Sequence, residues 1–300
     1  MNQPKSYYRI MLGKGSMYAT ECHEGSFIGV DFGMDVDFTN KLPDDWREFN
    51  KKQIPVYQQK NPGKSKVAAG LACGAIHTVS KGIKQGDIVF CPDGSGSYLV
   101  GEVVSDYSYH PGEILPHRRA VSWYPQTVER SMMSEPLQNS TGSVGTVSNI
   151  AKYTEELEQL LAGNMPAKVI ATDPDIENVF SFVFEKHLED FLVRNWHSTA
   201  LGKKYDIFEE DGELVGQQYP SDTGPIDILA ISKDQKELLI VELKRGRASD
   251  VVVGQIQRYM GYVAEELAEE GQTVKGVIIA LEKDLRIQRA LRVTQNIDFY

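Results

Sequence analysis

The sequence predicts two domains of different architecture, an α+β or partly open barrel domain followed by a mixed α/β domain. The chain has 300 residues, which is enough for two hydrophobic cores. Short strands and turns dominate the first half, whereas helices alternate with strands in the second. Between the halves, a segment rich in Ser, Gly and Asn, residues 129–147, is typical of a connector. These three observations predict the division.

The first predicted domain, residues 1–128, is built mainly of short strands. Apolar runs of strand length are bounded by Gly, Pro, Asn and Asp, which favour turns. A stretch rich in Ala and Gly has the length and composition of a buried helix. The predicted elements are strands at 8–12, 27–32, 87–90 and 98–104 and a helix at 66–80.

A linker, residues 129–174, is predicted to precede the second domain, residues 175–300. The linker carries an amphipathic helix at 149–161, in which Ile150, Tyr153 and Leu157 share one face. The second domain is predicted to begin with a helix and to continue as a mixed sheet. Its predicted elements are helices at 176–195 and 250–270 and strands at 226–231, 237–244 and 274–281.

Composition limits the classes of function. The chain carries 42 acidic and 32 basic side chains, a formal charge of -10. This charge argues against broad electrostatic coating of nucleic acid or anionic membrane, so any phosphate-binding surface must be local. The longest apolar runs, such as 277–281, are far shorter than the roughly 18 residues that span a bilayer. Residues 1–13 lack the apolar stretch of a secretory signal, which predicts a cytoplasmic protein.

The cysteines predict reduced thiols. Their number is odd, their spacing is wide and they form no CxxC pair, which disfavours a disulfide framework or a zinc site. The three residues are Cys22, Cys73 and Cys91.

Two carboxylates and a lysine carry the clearest chemical signal. In a strand, Glu242 and Lys244 project to one face while Leu243 enters the core. A hairpin brings Asp227, at the start of the preceding strand, beside Glu242. Two converging carboxylates suit Mg²⁺, and a lysine beside them can orient or deprotonate the attacking water or offset charge on a phosphate. The alternative is an ordinary half-exposed strand that alternates apolar and charged residues.

The residues that follow this strand add to the signal. Gln255 and Tyr259 lie four residues apart on the next helix and therefore project from one side. Arg245 and Arg247 add local positive charge beside the predicted phosphate site.

An acidic residue upstream also needs an explanation. Glu185 lies on the helical row of Leu188 and Leu192 and therefore borders the buried side of its helix. A carboxylate in that place needs a partner.

In this order, the motifs resemble those of a known superfamily. Glu185 and segments 224–227, 242–244 and 255–259 look like the successive motifs of the PD-(D/E)xK nucleases, including the QxxxY motif of RecB-like members. The wider segment 222–262 is similar to the catalytic domain of NucS/EndoMS-like endonucleases and of Mrr-like restriction enzymes. One departure is that Ile226 separates Pro225 from Asp227, so the literal Pro-Asp pair is absent.

This resemblance implies a restriction-endonuclease-like α/β/α domain with a mixed sheet. It implies that Asp227 and Glu242 are metal ligands, that Glu185 supports the metal, and that Lys244 is the catalytic lysine. The implied cofactor is Mg²⁺, with Mn²⁺ as a substitute. Double-stranded DNA is the implied substrate.

Further roles follow from the same resemblance. Gln255 and Tyr259 would position the phosphate or brace the site. Independently of the resemblance, the local charge of Arg245 and Arg247 predicts that they contact DNA. Because duplex cleavage requires two active sites, a homodimer is expected, with the helix at 149–161 as a candidate interface.

The N-terminal half resembles PUA-like (EVE-like) domains at segments 13–32, 86–89, 98–103 and 115–123. Related folds hold a flipped, modified base between aromatic and polar groups, so this resemblance implies a small barrel that reads DNA. The alternative for each aromatic residue is core packing. The candidate pocket residues are Tyr18, Trp46, Tyr107, Tyr109 and Trp123.

Two arginines on a predicted strand of this half, Arg118 and Arg119, have two alternative interpretations. They are either phosphate contacts or part of a salt-bridged strand edge.

The leading hypothesis is a Mg²⁺-dependent DNA endonuclease of restriction or phage defence whose N-terminal domain recognises modified DNA. The alternatives are a mismatch or branched-DNA repair endonuclease and a nuclease gated by a small signalling ligand. An inactive binding protein on a nuclease scaffold is disfavoured, because the acidic residues and the lysine are all present.

Overall fold

The computed structural model describes residues 5–142, 145–163, 188–209 and 214–300. The chain divides into two compact units, Met1–Ser65 with Ala69–Val169 and Lys66–Ala68 with Ile170–Tyr300. Each unit contains its own sheet. Within the described ranges, no helix has the length and apolar character needed to cross a bilayer.

Eight strands form the sheet of the first unit: β1 (Tyr7–Ile10), β2 (Phe27–Val30), β3 (Ile88–Pro92), β4 (Ser97–Val103), β5 (Ser108–Tyr109), β6 (His117–Trp123), β7 (Val128–Glu129) and β8 (Val147–Asn149). The order is β2-β6-β4-β3-β1-β8, with β5 on β6 and β7 on β4. β1 and β3 are parallel and the other pairs are antiparallel. The parallel β1–β3 pair makes the sheet mixed. Among the described strands, no pairing joins β2 to β8, so the predicted barrel is not confirmed.

The helices of the N-terminal half are α1 (Ala19–Glu24), α2 (Trp46–Lys60), α3 (Lys66–His77), α4 (Glu135–Thr141) and α5 (Thr154–Leu161). α3 was predicted, whereas α2 was not. The sequence of α2 is polar and contains Pro55, and only a narrow stripe including Phe49 and Ile54 is buried. Its start is nonetheless specified, because the Asp45 side chain accepts a hydrogen bond from the Arg47 N–H.

The predicted linker differs from the structure. β8 pairs with β1, and α5 buries Leu157 and Leu160 in a cluster that also contains Ile150. Residues 129–142 and 145–163 therefore belong to the first unit. A strand is held by main-chain hydrogen bonds, which a segment rich in Ser and Asn can form as well as an apolar one. The apolar face of the 149–161 segment is covered by its own domain and is not available as the expected dimer interface.

The second unit contains a six-stranded mixed sheet: β9 (Tyr205–Ile207), β10 (Gln217–Ser221), β11 (Gly224–Ser232), β12 (Glu237–Ala248), β13 (Thr273–Lys283) and β14 (Ile297–Phe299). The order is β10-β11-β12-β13-β14, with β9 also on β11. β12, β13 and β14 are parallel and the other pairs are antiparallel. The strands predicted at 226–231, 237–244 and 274–281 and the mixed α/β architecture are confirmed.

In the described part of this unit, three α-helices accompany the sheet: α6 (188–194), α7 (Val251–Tyr262) and α8 (Leu285–Val293). The β12-α7-β13-α8-β14 succession consists of two crossovers in the same direction along a parallel sheet. Because such crossovers are right-handed, α7 and α8 lie on the same face. On this face Gly276 of β13 leaves room for α7, since a Cβ there would lie 2.9 Å from both Ile256 and Met260.

The other face of the sheet carries the main core of this unit. Its β12 residues Leu239, Val241 and Leu243 cluster with Trp196 and Tyr205. Because side chains alternate along a strand, the residues between them, including Glu242, project to the face of α7.

Candidate active site

The antiparallel pairing of β11 with β12 builds the centre of the site. Ile228 lies opposite Val241, and continuing this register by one residue puts Asp227 opposite Glu242. The Leu243 N–H donates a hydrogen bond of 2.8 Å to Asp227 Oδ2. The structure therefore brings together the two carboxylates that the sequence analysis placed side by side.

Lys244 completes this group. Its Nζ lies 2.9 Å from Glu242 Oε1; the Glu242 side chain is only 2% exposed, and that of Lys244 is 31% exposed. The lysine side chain thus extends from the buried carboxylate of Glu242 to the open side of the sheet. This is the position from which a cation can contact both the site and a bound anion.

Asp227 has an unusual electrostatic environment. Burial raises the pKa of Asp227 well above its ordinary value, and the negative charges of Glu242 and Glu189 raise it further. The Leu243 N–H and the charge of Lys244 lower it, but less. The three acidic groups therefore favour a proton or a cation among them.

We expect Asp227→Asn to raise the melting temperature of the metal-free protein at neutral pH by a few degrees, or about 1 kcal/mol for a domain of this size. Above the ordinary pKa of an aspartate, wild-type folding forces this carboxyl to bind a proton or hold an unfavourable charge, so stability falls as pH rises through the raised pKa. The gain should disappear near pH 4. Calorimetry across this pH range measures it.

Asp234→Asn is the matched control, because the pKa of Asp234 is lowered by the Ser232 hydroxyl and the Lys236 N–H. Its charge stabilises the folded state above the ordinary pKa, so this variant should not gain stability at neutral pH. Equal shifts in both variants would contradict the electrostatic explanation.

A further acidic residue, Glu189 on α6, was not predicted. It is 3% exposed and accepts hydrogen bonds from Gln217 Nε2 at 2.7 Å and Gln218 Nε2 at 2.6 Å. The predicted helix acid, Glu185, lies outside the described residues. In the predicted helix 176–195, Glu189 follows Glu185 by four residues, so the row argument applied to Glu185 also points to it.

Gln218 links this acid to Asp227. Its Nε2 also donates to Asp227 Oδ1 at 3.1 Å, so one amide group holds both carboxylates. The pairing of Gln217 with Ile228 and of Tyr219 with Ile226 places Gln218 directly opposite Asp227. Gln218 has a φ of 51°, in the left-handed region that few residues other than glycine adopt.

Gln255 and Tyr259 of α7, which were predicted to project from one side of their helix, form a hydrogen bond. Gln255 Nε2 donates to the Tyr259 hydroxyl at 3.2 Å, and this hydroxyl would lie 3.2 Å from a Cβ on Gly224, at the start of β11. Burial raises the pKa of Tyr259, the hydrogen bond from Gln255 lowers it, and the charges of Glu242 and Asp227 raise it. The hydroxyl keeps its proton and can donate it to an oxygen in the site.

The donor chemistry fits a hard cation. Among the described residues, no three His, Cys, Asp or Glu side chains form a ready-made metal cluster. Mg²⁺ needs only one or two carboxylates, because water and substrate oxygens complete its coordination. The Asp227 and Glu242 pair meets this requirement.

The cysteines do not contribute to such a site. Cys22, Cys73 and Cys91 are free and buried, as predicted. Burial raises the pKa of Cys22 and Cys73 to about 12, which keeps these thiols protonated.

The arginines predicted to contact DNA have a different place in the structure. Arg118 is 7% exposed, bonds to Glu113 Oε2 at 2.7 Å and to the Leu115 carbonyl at 3.1 Å, and lies over the Phe27 ring. Both arginines are inside the first unit, where they donate to carbonyl groups, so their contacts favour a structural role over the predicted phosphate contacts.

Arg119 is 4% exposed and donates to the carbonyls of Val79, Ser80 and Ser105. The side chains of Arg245 and Arg247 lie outside the described residues.

Of the five predicted pocket aromatics, Tyr107 and Tyr109 meet at one residue. Their ring centroids lie 6.0 and 5.2 Å from that of His117, which is fully buried, and the Tyr107 hydroxyl is 2.9 Å from His117 Nδ1. Trp123 instead packs on His23.

The remaining two have no such arrangement with His117 among the described ring contacts. Tyr18 packs against the hydrophobic core, and Trp46 is half-buried at the first position of α2.

The site thus combines a mixed sheet, two facing carboxylates, a lysine two residues further along and an acidic residue on a packed helix. The comparisons match the two parts of the chain to different domain families. Residues 184–299 match the family model for the C-terminal domain of endonuclease NucS. Residues 8–151 match a domain of unknown function, DUF8426.

Known proteins resemble parts of the chain. Endonuclease NucS of Methanocaldococcus jannaschii is 31% identical over 94 residues, which cover 31% of this chain and 34% of that protein. The chain therefore spans about a third of the length of this curated relative. The PUA-like and Mrr-like resemblances are not confirmed.

Two solved structures also align. A repair endonuclease from Pyrococcus abyssi aligns with 69% of this chain and 65% of its own, at 14% identity and a TM-score of 0.32. A complex of EndoMS with double-stranded DNA aligns with 69% and 64%, at 15% identity and a TM-score of 0.31.

Proposed function

We propose that the chain is a metal-dependent DNA endonuclease that acts in repair, on mismatched or branched duplexes. The observation that carries this proposal is the convergence of Asp227, Glu242 and Lys244 on one face of the β11–β12 pair. The match of residues 184–299 to the NucS C-terminal domain and the similarity to a NucS endonuclease support it. Neither finding favours a restriction or defence role, so the repair alternative takes first place.

The proposed cofactor is Mg²⁺, held by Asp227 and Glu242. When bound, it would supply Lewis-acid stabilisation of the charge on the phosphate. Lys244 would contribute a second positive charge at the same phosphate or orient the attacking water. Because Glu242 already fixes Lys244 Nζ at 2.9 Å, this cation is oriented before substrate binds.

Two further groups would position the reactants. The Tyr259 hydroxyl, which receives a hydrogen bond from Gln255, would donate its proton to a phosphate oxygen. Glu189 and Gln218 would hold Asp227 in place from the side of α6 and β10. All these groups belong to a single unit of the chain.

The proposed partner is duplex DNA, and the proposed assembly is a homodimer, since cutting both strands takes two sites. We assign no modified-base pocket to the first unit. Tyr107 and Tyr109 pack on the buried His117, which fits the alternative of core packing.

The test is cleavage of matched, mismatched, branched and base-modified duplexes of one sequence by the full-length chain, with Mg²⁺, with Mn²⁺ and with a chelator. We expect metal-dependent cutting, with the highest kcat/KM on a mismatched or branched duplex. Glu242→Gln is the control against a contaminating nuclease. Preference for the modified duplex would favour restriction instead, and absence of cutting on every substrate would contradict the proposal.

A further inference from the structure

Helix α8 exposes an arginine stripe that no predicted motif contains. Arg286, Arg289 and Arg292 follow one another at intervals of three residues, and all three are exposed. Ile287, on the opposite side of the helix, is fully buried and anchors it. α8 itself contains no acidic residue. Within the described part of the chain, these three arginines form neither a hydrogen bond nor an ion pair.

Two other cations of the same unit, by contrast, are engaged in ion pairs. Lys275 Nζ lies 2.9 Å from Asp298, and Lys244 Nζ lies 2.9 Å from Glu242. An arginine that forms hydrogen bonds within its own protein has fewer N–H groups left to bind an external anion. The α8 guanidinium groups retain all five N–H donors for an external anion.

The topology brings α8 near the candidate active site. α8 begins after β13, where the Asp284 N–H donates to the carbonyl of Ala248, the last residue of β12. It packs against α7, which carries Gln255 and Tyr259. Both helices lie on the sheet face to which Glu242 projects, and packed helices are roughly 10 Å apart. The arginine stripe is thus on the helix next to the one that borders the site.

The negative net charge of the chain means that DNA binding needs a local group of cations. A chain with a net charge of -10 and three carboxylates at its site repels a polyanion unless cations lie close by. Arg118 and Arg119 are buried and cannot supply them. Three arginines spaced by about 4.5 Å along a helix can bind successive phosphates of a backbone, for which the guanidinium group is well suited.

We propose that the arginine stripe of α8 binds the phosphate backbone of a DNA duplex beside the carboxylate site. The inference rests on the proposed nuclease function and adds the surface that holds the substrate. In this proposal α8 contributes to DNA affinity, whereas β11 and β12 carry the residues that cleave DNA. Mutations in α8 should therefore change binding without changing the rate of cleavage.

The test measures binding of a fluorescent duplex over a series of salt concentrations, in Ca²⁺ to prevent turnover, and cleavage in Mg²⁺. The variant is Arg286→Ala/Arg289→Ala/Arg292→Ala, in which alanine preserves helix propensity. Loss of three phosphate contacts should reduce the slope of log affinity against log salt by about 2 to 3 and weaken binding roughly 10- to 100-fold at moderate salt. The kcat at saturating DNA should change little.

The matched control is Lys203→Ala/Lys233→Ala/Lys236→Ala. These three exposed lysines of the same unit lie near the opposite end of β12, and their removal changes the net charge by the same amount. Affinity should fall far less than in the arginine variant. An equal loss in both variants would mean that net charge alone acts, which would overturn the proposal.

The outcomes also separate the two levels of inference. If the wild type cleaves DNA but the arginine variant binds it with an unchanged salt slope, the α8 proposal fails and the nuclease function stands. If the wild type does not cleave DNA, the proposed function fails.

Leu285 and Val293, 60% and 87% exposed, also belong to α8. A change in sedimentation mass with unchanged DNA binding would make this face a contact between protein copies and would overturn the proposal.

Discussion

Lys244→Ala is expected to lower the rate of duplex cleavage by about 10²- to 10⁴-fold, the range for losing a group that stabilises charge or transfers a proton in the transition state. The Lys244 Nζ lies 2.9 Å from the buried Glu242 carboxylate, and the lysine side chain is partly exposed on the open side of the sheet. The loss should appear in kcat measured at saturating DNA and metal. Single-turnover cleavage of a labelled duplex measures it directly.

Lys275→Ala provides an unusually close control. Lys275 lies on the neighbouring strand, its side chain is also 31% exposed, and it forms an ion pair of 2.9 Å with Asp298. It should retain cleavage within about twofold, since a partly exposed ion pair contributes only about 0 to 1 kcal/mol to stability. Comparable losses of activity in the two variants would contradict a specific role for Lys244. Melting curves of both variants exclude unfolding as the cause.

Arg119→Met is expected to destabilise the first unit by about 3 to 5 kcal/mol. The guanidinium of Arg119 donates to the carbonyls of Val79, Ser80 and Ser105 at 2.6, 2.7 and 3.1 Å. Methionine fills part of the volume but leaves these buried acceptors without a donor, at a cost of about 1 to 3 kcal/mol for each unsatisfied group. Chemical denaturation, followed by a probe in the first unit, measures the loss.

Arg47→Met is the control, because the Arg47 side chain is 46% exposed and its ion pair with Asp45 is at the surface. It should change the free energy of unfolding by less than about 0.5 kcal/mol. The same pair of variants distinguishes the two interpretations of Arg119. A stable Arg119→Met protein with weakened DNA affinity would restore its assignment as a phosphate contact.

The sequence was most informative where chemistry and periodicity agree. Alternation predicted that Glu242 and Lys244 share a face, and the order of strands predicted that Asp227 joins them. The i, i+4 spacing predicted that Gln255 and Tyr259 project from one side of their helix. These are local rules of strands and helices, and they need only one correct register between β11 and β12.

Features that depend on distant contacts were not predictable in this way. Nothing local distinguishes Arg119, which satisfies carbonyl groups some 40 residues earlier in the chain, from an arginine on a strand edge. Gln218 acts through a side-chain contact with α6, which the sequence pattern of β10 does not reveal. The arginine stripe of α8 belongs to no known motif, and only the packing of α8 against α7 relates it to the site.

Gln218 places two demands on one position of the chain. Its amide group holds Glu189 and Asp227, while its backbone adopts a conformation with a φ of 51° that glycine would accept at lower cost. A glycine would relax the backbone and remove the link between the carboxylates. Stability and activity are therefore opposed at this residue, because the side chain that links the two carboxylates requires a strained backbone.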